Sequence, residues 1–278
     1  LIVVLCCVLC LSVVAGCGGE KDILVVSRES GSGTRDAFDG LIKNSEGDSL
    51  AKKADGTVVD AITKTADIQN STGNVMTKVS SAQSAIGYIS LGSLNSTVKS
   101  LTLNGVTATA ENVLNNSYKL QRPFVIMTNK SVTLTSATQD FLRYLESSDA
   151  QKIVKASKYV EQASVIEYTA PASPISGKIV IKGSTSVDPL MDKLIADYLI
   201  KGGNKVTGVE FSKDAQGSAQ GISSAKADTV GNVIGMSSSA IKTADAESLK
   251  YSNIGREAGA VNVKKKKKHS KNKKTPFY

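Results

Sequence analysis

Three loops of this chain share one design: Arg28-Glu29-Ser30-Gly31-Ser32-Gly33-Thr34, Gly183-Ser184-Thr185-Ser186 and Gln216-Gly217-Ser218-Ala219-Gln220-Gly221. Each is a short Gly/Ser/Thr turn between a β-rich run and the expected start of a helix. Such a turn aims free backbone N–H groups and the positive end of a helix dipole at one point, which suits an anion. Glycine lets the backbone come close, and the hydroxyls add donors. Arg28 brings a planar guanidinium fork that can hold two oxygens of a tetrahedral oxyanion. None of the loops continues into Gly-Lys-Ser/Thr, which argues against a P-loop and nucleotide hydrolysis.

Other chemistry is excluded by composition. All four cysteines (Cys6, Cys7, Cys10, Cys17) stand in the first seventeen residues, and the one histidine, His269, lies near the C-terminus. The body between them therefore has no thiol nucleophile, no Ser-His-Asp triad, no Cys/His zinc site and no disulfide framework. Ser223-Ser224-Ala225-Lys226 and Ser239-Ala240-Ile241-Lys242 match Ser-x-x-Lys, a pattern expected by chance in a chain so rich in both residues. We expect no enzyme, no cofactor and no metal. The net charge of +9 is also local, because eight of the lysines lie within 264–278 and the rest carries 26 basic against 25 acidic residues. A nucleic-acid surface is not indicated.

The elements that must position the loops alternate between strand and helix, which points to an α/β fold. Strands are expected at Ile23–Val26, Ala85–Ile89, Val98–Leu103, Phe124–Met127, Lys178–Lys182, Val209–Phe211 and Ile234–Met236. A helix follows the first loop with Phe38, Leu41 and Ile42 on one face. A second carries Phe141, Leu142 and Leu145, and a third opens at Asp188-Pro189 with Leu190, Leu194, Ile195 and Tyr198 inward. Residues 170–177 read as a linker. Leu1 to Ala15 is an uncharged apolar run, too short to span a bilayer, and reads with Gly16 as a signal peptide (1–16). Val14-Ala15-Gly16-Cys17 resembles the bacterial lipobox, which implies lipidation of Cys17, a tether over 17–21 and an extracytoplasmic body. The lysine-rich 264–278 reads as a disordered tail rather than an electrostatic anchor.

Ile23 to Phe38 resembles the phosphate loop of the phosphate-binding lipoproteins that feed bacterial ABC phosphate transporters. Ile86-Gly87-Tyr88-Ile89-Ser90, Tyr118-Lys119-Leu120-Gln121-Arg122-Pro123, Gly183-Ser184-Thr185-Ser186-Val187, Gly217-Ser218 and Ile234-Gly235-Met236-Ser237-Ser238 resemble further landmarks of that family. The resemblance implies a two-lobed periplasmic-binding-protein-like fold (type II) with the ligand cleft between lobes. One lobe would hold 22–121, a return segment 122–169 would lead through the linker, and 178–263 would form the other lobe. It implies phosphate contacts from Arg28, Ser32, Gly33, Thr34, Ser186, Val187 (through its N–H), Ser218 and Ser238. Inorganic phosphate, the permease subunits and the membrane, through lipid on Cys17, are the expected partners of a monomer. For Ser186 and Ser218 a helix N-cap is the competing role. Glu29 and Asp36 are expected to be solvated or paired with Arg35.

Three departures accompany the resemblance. The two halves stand in permuted order relative to most of the family, and a segment of roughly fifty residues expected after Val263 is replaced by the lysine tail, as in a C-terminal truncation. Ser238 also stands where some members carry an Asp that accepts the phosphate's proton. Binding of another oxyanion, sulfate or molybdate, and a truncated remnant that no longer binds are the alternatives.

Overall fold

The computed structural model describes residues 22–44, 46–164 and 166–265. The expected signal peptide, Cys17 with its tether, and the tail beyond Lys265 lie outside them. In chain order the elements are β1 (Leu24–Arg28), α1 (Gly33–Leu41), β2 (Asp67–Gln69), α2 (Thr72–Ser81), β3 (Ala85–Ser90), β4 (Val98–Ser100), α3 (Ala110–Leu114) and β5 (Gln121–Asn129). They continue with α4 (Ser136–Leu145), α5 (Ser148–Ala156), β6 (Ser176–Gly183), α6 (Asp188–Gly202), β7 (Gly208–Asp214), α7 (Ser218–Lys226), β8 (Val233–Ser237), α8 (Thr243–Ala246) and β9 (Leu249–Lys264).

Among the described residues the strands form one nine-stranded mixed sheet in the order β2-β1-β3-β9-β5-β8-β6-β7, with β4 also against β9. Its two ends are parallel, β2-β1-β3 and β8-β6-β7. Parallel neighbours need crossovers, and helices supply them. The middle is antiparallel: β9 pairs with β3 on one side and β5 on the other, and β5 pairs with β8. The apolar interior is divided in the same way. A large cluster joins Phe124 and Ile126 of β5, Phe141 of α4, Leu190, Leu194 and Tyr198 of α6, and Ile179 and Ile181 of β6. Smaller clusters lie at the other end, around Val26, Val75, Val79 and Ile89, and around Tyr118, Leu120 and Ala258.

Several boundaries differ from expectation. Only Val98–Ser100 of the 98–103 run pairs as a strand. Leu41 of α1 faces solvent, while Phe38 stacks on Tyr88 with ring centroids 4.1 Å apart. The linker gives up Ser176 and Gly177 to β6, where they pair with Gly208 and Val209. The stretch to 263, expected wholly in the second lobe, instead crosses the molecule. Leu249 to Ala258 pair along β5, and Gly259 to Val263 pair with β3. Its inward residues Ala258 and Ala260 are small enough for the strand to pass between the two halves.

The α5–α6 contact yields a stability prediction. Asp149 Oδ1 accepts from Lys201 Nζ at 2.9 Å and Lys152 Nζ at 3.0 Å, and Oδ2 accepts the Tyr168 N–H at 3.1 Å. The Lys201 hydrogen bond, ahead of the Lys152 and Tyr168 bonds, holds the carboxyl down to about 2. An unfolded Asp titrates near about 4. The contribution is thus complete above that value and is lost as pH falls from there towards 2. Asp149→Asn should lower the melting temperature at neutral pH and flatten the acid limb between pH 4 and pH 2, read by circular dichroism melts across that range.

Candidate anion-binding site

The three Gly/Ser/Thr loops meet where the two halves of the sheet face each other. Arg28 ends β1 and is 1% exposed. Its Nε and Nη2 each donate to Glu29 at 2.7 Å, and Nη1 donates to Thr72 Oγ1 at 3.3 Å. Five N–H groups are available on a guanidinium, so this arrangement leaves donors to spare. Ser32 caps α1, accepting the Arg35 N–H at 3.4 Å. The N–H groups of Gly33 and Thr34 then open the helix with no acceptor among the described residues, as helix geometry dictates for a first turn.

Across the divide, Thr34 Oγ1 and Ser186 Oγ lie 2.9 Å apart, and Thr72 Oγ1 lies 3.1 Å from Ser186 Oγ. Ser218 Oγ accepts the Ser238 N–H at 3.1 Å, and Ser184 Oγ donates to Ser238 Oγ at 2.9 Å. Gly31, at φ +87°, accepts the Ala219 N–H on its carbonyl at 3.0 Å. Gly33 lies against the far wall: a Cβ there would be 2.4 Å from Ser218 Oγ and 3.0 Å from both the carbonyl carbon and Oγ of Ser238. Ser184, Ser186, Ser218 and Ser238 are all buried. A buried cluster of hydroxyls and helix N-termini with this density of donors can hold a tetrahedral anion.

The structure brings together the loops that carry the eight expected residues, with two differences of detail. Ser186 and Ser218 are not N-caps. Val187 and Gly217 occupy those positions, with no side-chain cap bond at either, so both hydroxyls stay with the cluster. The Val187 N–H is engaged by the Ser184 carbonyl at 3.2 Å, and its side chain is buried in the large core. Glu29 pairs with Arg28 rather than Arg35, because Arg35 is occupied by Asp39 and Asp60. Asp36, in the first turn of α1, has its carboxyl pushed up by burial against the pull of Lys242 and Arg35.

Sequence reasoning missed a second guanidinium. Arg122 of β5 donates from Nη1 to Ser238 Oγ at 3.1 Å and from Nη2 to Ser186 Oγ at 3.2 Å. Its Nε donates to Glu257 Oε1 at 2.7 Å, and Nη2 also contacts that oxygen. Glu257, directly opposite on β9, is fully buried; burial pushes its carboxyl up against the pull of Arg122 and the Ser90 hydroxyl. Thr72 is a further member that was not foreseen, and Ser184 and Thr185 of the second loop join the cluster beyond the eight expected contacts. Arg122 lies in the Gln121-Arg122-Pro123 landmark, yet nothing local signals that its head reaches a loop 64 residues on. In the two Ser-x-x-Lys matches, Lys226 pairs with Asp245, and Ser239 bonds back to Ser237.

Comparison with known proteins finds similar proteins of one family. The PBP superfamily domain matches residues 16–149. "Phosphate-binding protein PstS 2" of Streptococcus agalactiae is 38% identical over 266 residues, covering 93% of this chain and 86% of the relative. The chain belongs to the PstS phosphate-binding family. The protein of the same name from Streptococcus pneumoniae serotype 4 is 40% identical over 252 residues, covering 89% of this chain and 80% of that one. Family members of known structure include a phosphate-binding protein of a phosphate ABC transporter from Streptococcus pneumoniae. It is 38% identical, covers 87% of this chain and 88% of its own, and superimposes with a TM-score of 0.62. The architecture is the two-lobed α/β fold of periplasmic binding proteins, the family's own. Among the described residues no helix is long and apolar enough to cross a membrane, and no group of three or more His, Cys, Asp or Glu is placed to hold a metal ion.

Proposed function

We propose that this chain is an extracytoplasmic receptor that captures inorganic phosphate between its lobes and presents it to an ABC permease. The observation that carries the reading is the meeting of Thr34 and Ser186 at 2.9 Å, ringed by Arg28, the α1 N-terminus, Ser218 and Ser238. Arg28 supplies charge and a fork for two oxygens. Ser32, Thr34 and the N–H groups of Gly33 and Thr34 bind from one side. Ser186, Ser218 and Ser238 bind from the other, with Val187 acting through the packing of its side chain beneath the loop. On binding, the direct hydroxyl bonds across the cleft are exchanged for bonds to phosphate oxygens. Fixed dipoles then replace the anion's water, and the strength of such bonds rises as water leaves.

The moving parts are a lobe of 22–121 joined by the C-terminal part of β9, and a lobe holding 122–169 and most of 178–263. They bend where β5 and β9 cross between them, at the register shift between Phe124 and Val125. Lipid on Cys17 tethers the receptor as a monomer, and the closed form is what the permease recognises. The chemistry is capture without turnover.

Calorimetric titration of phosphate into the purified chain tests this. Saturable binding to one site is expected, with no hydrolysis of a phosphate ester offered in parallel. A folded chain that takes up no phosphate would overturn the reading.

A further inference from the structure

The contacts across the cleft are of two kinds. Thr34 Oγ1 and Ser186 Oγ, 2.9 Å apart, share a hydrogen that an anion can claim, so that bond is exchanged on binding. Arg122 makes bonds of the other kind. Its Nη1 donates to Ser238 Oγ at 3.1 Å, and Nη2 donates to Ser186 Oγ at 3.2 Å. A hydroxyl has one hydrogen and two lone pairs, so each serine can accept from Arg122 and still donate to an anion. These two bonds therefore survive the binding step.

They also span the hinge. Arg122 stands just ahead of the register shift between Phe124 and Val125, whereas Ser186 and Ser238 lie in the loops after β6 and β8. Behind the guanidinium, Glu257 Oε1 accepts from Nε at 2.7 Å. The other Glu257 oxygen accepts the Ser90 hydroxyl at the end of β3, and the Leu91 N–H adds to the hold. Arg122 and Glu257 are both buried, so little water is at hand to replace these bonds. A swing of the lobes about the shift draws Ser186 and Ser238 away from a guanidinium that Glu257 keeps with β3.

We infer that Arg122 is a positioning residue for closure, a strut that ties the Ser186 and Ser238 loops to β3 through Glu257 and slows phosphate release. The inference rests on the phosphate-receptor reading. A ligand shifts a conformational equilibrium only by its differential affinity for the two states. The strut adds to closure independently of the ligand. Opening breaks two charge-assisted bonds, so the strut acts on release rather than on encounter.

The experiment compares the full chain with two variants. Arg122→Met with Glu257→Met removes the pair without orphaning a buried charge. Arg122→Lys keeps a cation beside Glu257 but cannot serve Glu257, Ser186 and Ser238 through one planar fork, and it decides the matter should the double variant fail to fold. Release of radiolabelled inorganic phosphate, chased with unlabelled phosphate, should quicken by about tenfold to a hundredfold in either variant, the scale of one or two such bonds. The association rate should stay within about threefold. Small-angle scattering without phosphate should give the variants a larger radius of gyration, and saturating phosphate should return it to the unsubstituted value. An unchanged release rate would overturn the inference. So would an unchanged radius of gyration without phosphate, because a merely structural Arg122 moves the melting temperature and neither of these. A tenfold fall in the association rate would overturn it too, as the mark of a misshapen site. If the unsubstituted chain took up phosphate and any of these results held, only this inference would fall. If the folded unsubstituted chain took up none, the receptor reading would fall and this inference with it.

Discussion

Arg28→Met lowers phosphate affinity by about two to three orders of magnitude and leaves the fold in place. Truncating one member of a close, desolvated charge pair costs about 2–5 kcal/mol, and each 1.4 kcal/mol is about tenfold in affinity. Arg28 is 1% exposed, so its interaction with a bound anion is little screened. The stability cost is smaller. Glu29, left without its partner, has a side chain 22% exposed and can turn to water, unlike a fully buried carboxylate. Arg28→Lys should fall between the two, because an ammonium keeps the charge but cannot serve Glu29, Thr72 and an anion through one planar fork. Titration calorimetry for affinity and a thermal melt for stability separate the two effects. A melting temperature that collapsed along with binding would show Arg28 to be a structural residue first.

Gly33→Ala separates binding from stability in the opposite way. Gly33 has ordinary helical backbone at the start of α1, so a methyl group is tolerated there in isolation and even improves helix propensity. In this structure the added Cβ lies 2.4 Å from Ser218 Oγ and 3.0 Å from the Ser238 carbonyl carbon. The serine hydroxyl can rotate away; the Ser238 backbone, anchored in the loop after β8, cannot. The variant should therefore keep or slightly raise its melting temperature, while phosphate affinity falls by about a hundredfold, the scale of a clash of about 1–3 kcal/mol on overpacking. Small-angle scattering with saturating phosphate should show it failing to contract. Unimpaired binding would mean that the two walls do not approach as closely as the structure places them.

The loops that hold the site were legible because each is local. Arg28 to Thr34 carries its guanidinium, cap and helix start within seven residues, and Gly183 to Ser186 and Gly217-Ser218 repeat the device. Flanking apolar runs such as Leu24 to Val26 and Ile179 to Ile181 located the strands that position them. What escaped was nonlocal. Thr72 opens a helix whose preceding strand, Asp67–Gln69, is only three residues long, too short to register as a pattern. Arg122 and Glu257 matter only because β5 and β9 align opposite each other, 135 residues apart in sequence. β9 itself hid in plain view. Its buried positions are Ala, Gly and Asn more often than large apolar residues, so period-two reasoning finds little contrast. Packing between two lobes requires small side chains there, and small side chains are what makes a strand hard to recognise.

That strand also decides the order in which the molecule can be assembled. The hydroxyl of Ser90 and the carboxylate of Glu257 that it meets are 167 residues apart, and the whole inner edge of β3 waits for the same partner. At about 5–20 residues per second, synthesis takes on the order of ten to thirty seconds to supply it. During that interval a nascent N-terminal half presents an unpaired edge to whatever is nearby, the situation most prone to wrong pairing. Closing so distant a contact is slow in itself. The half that carries the Arg28–Thr34 loop is thus made first and finished last.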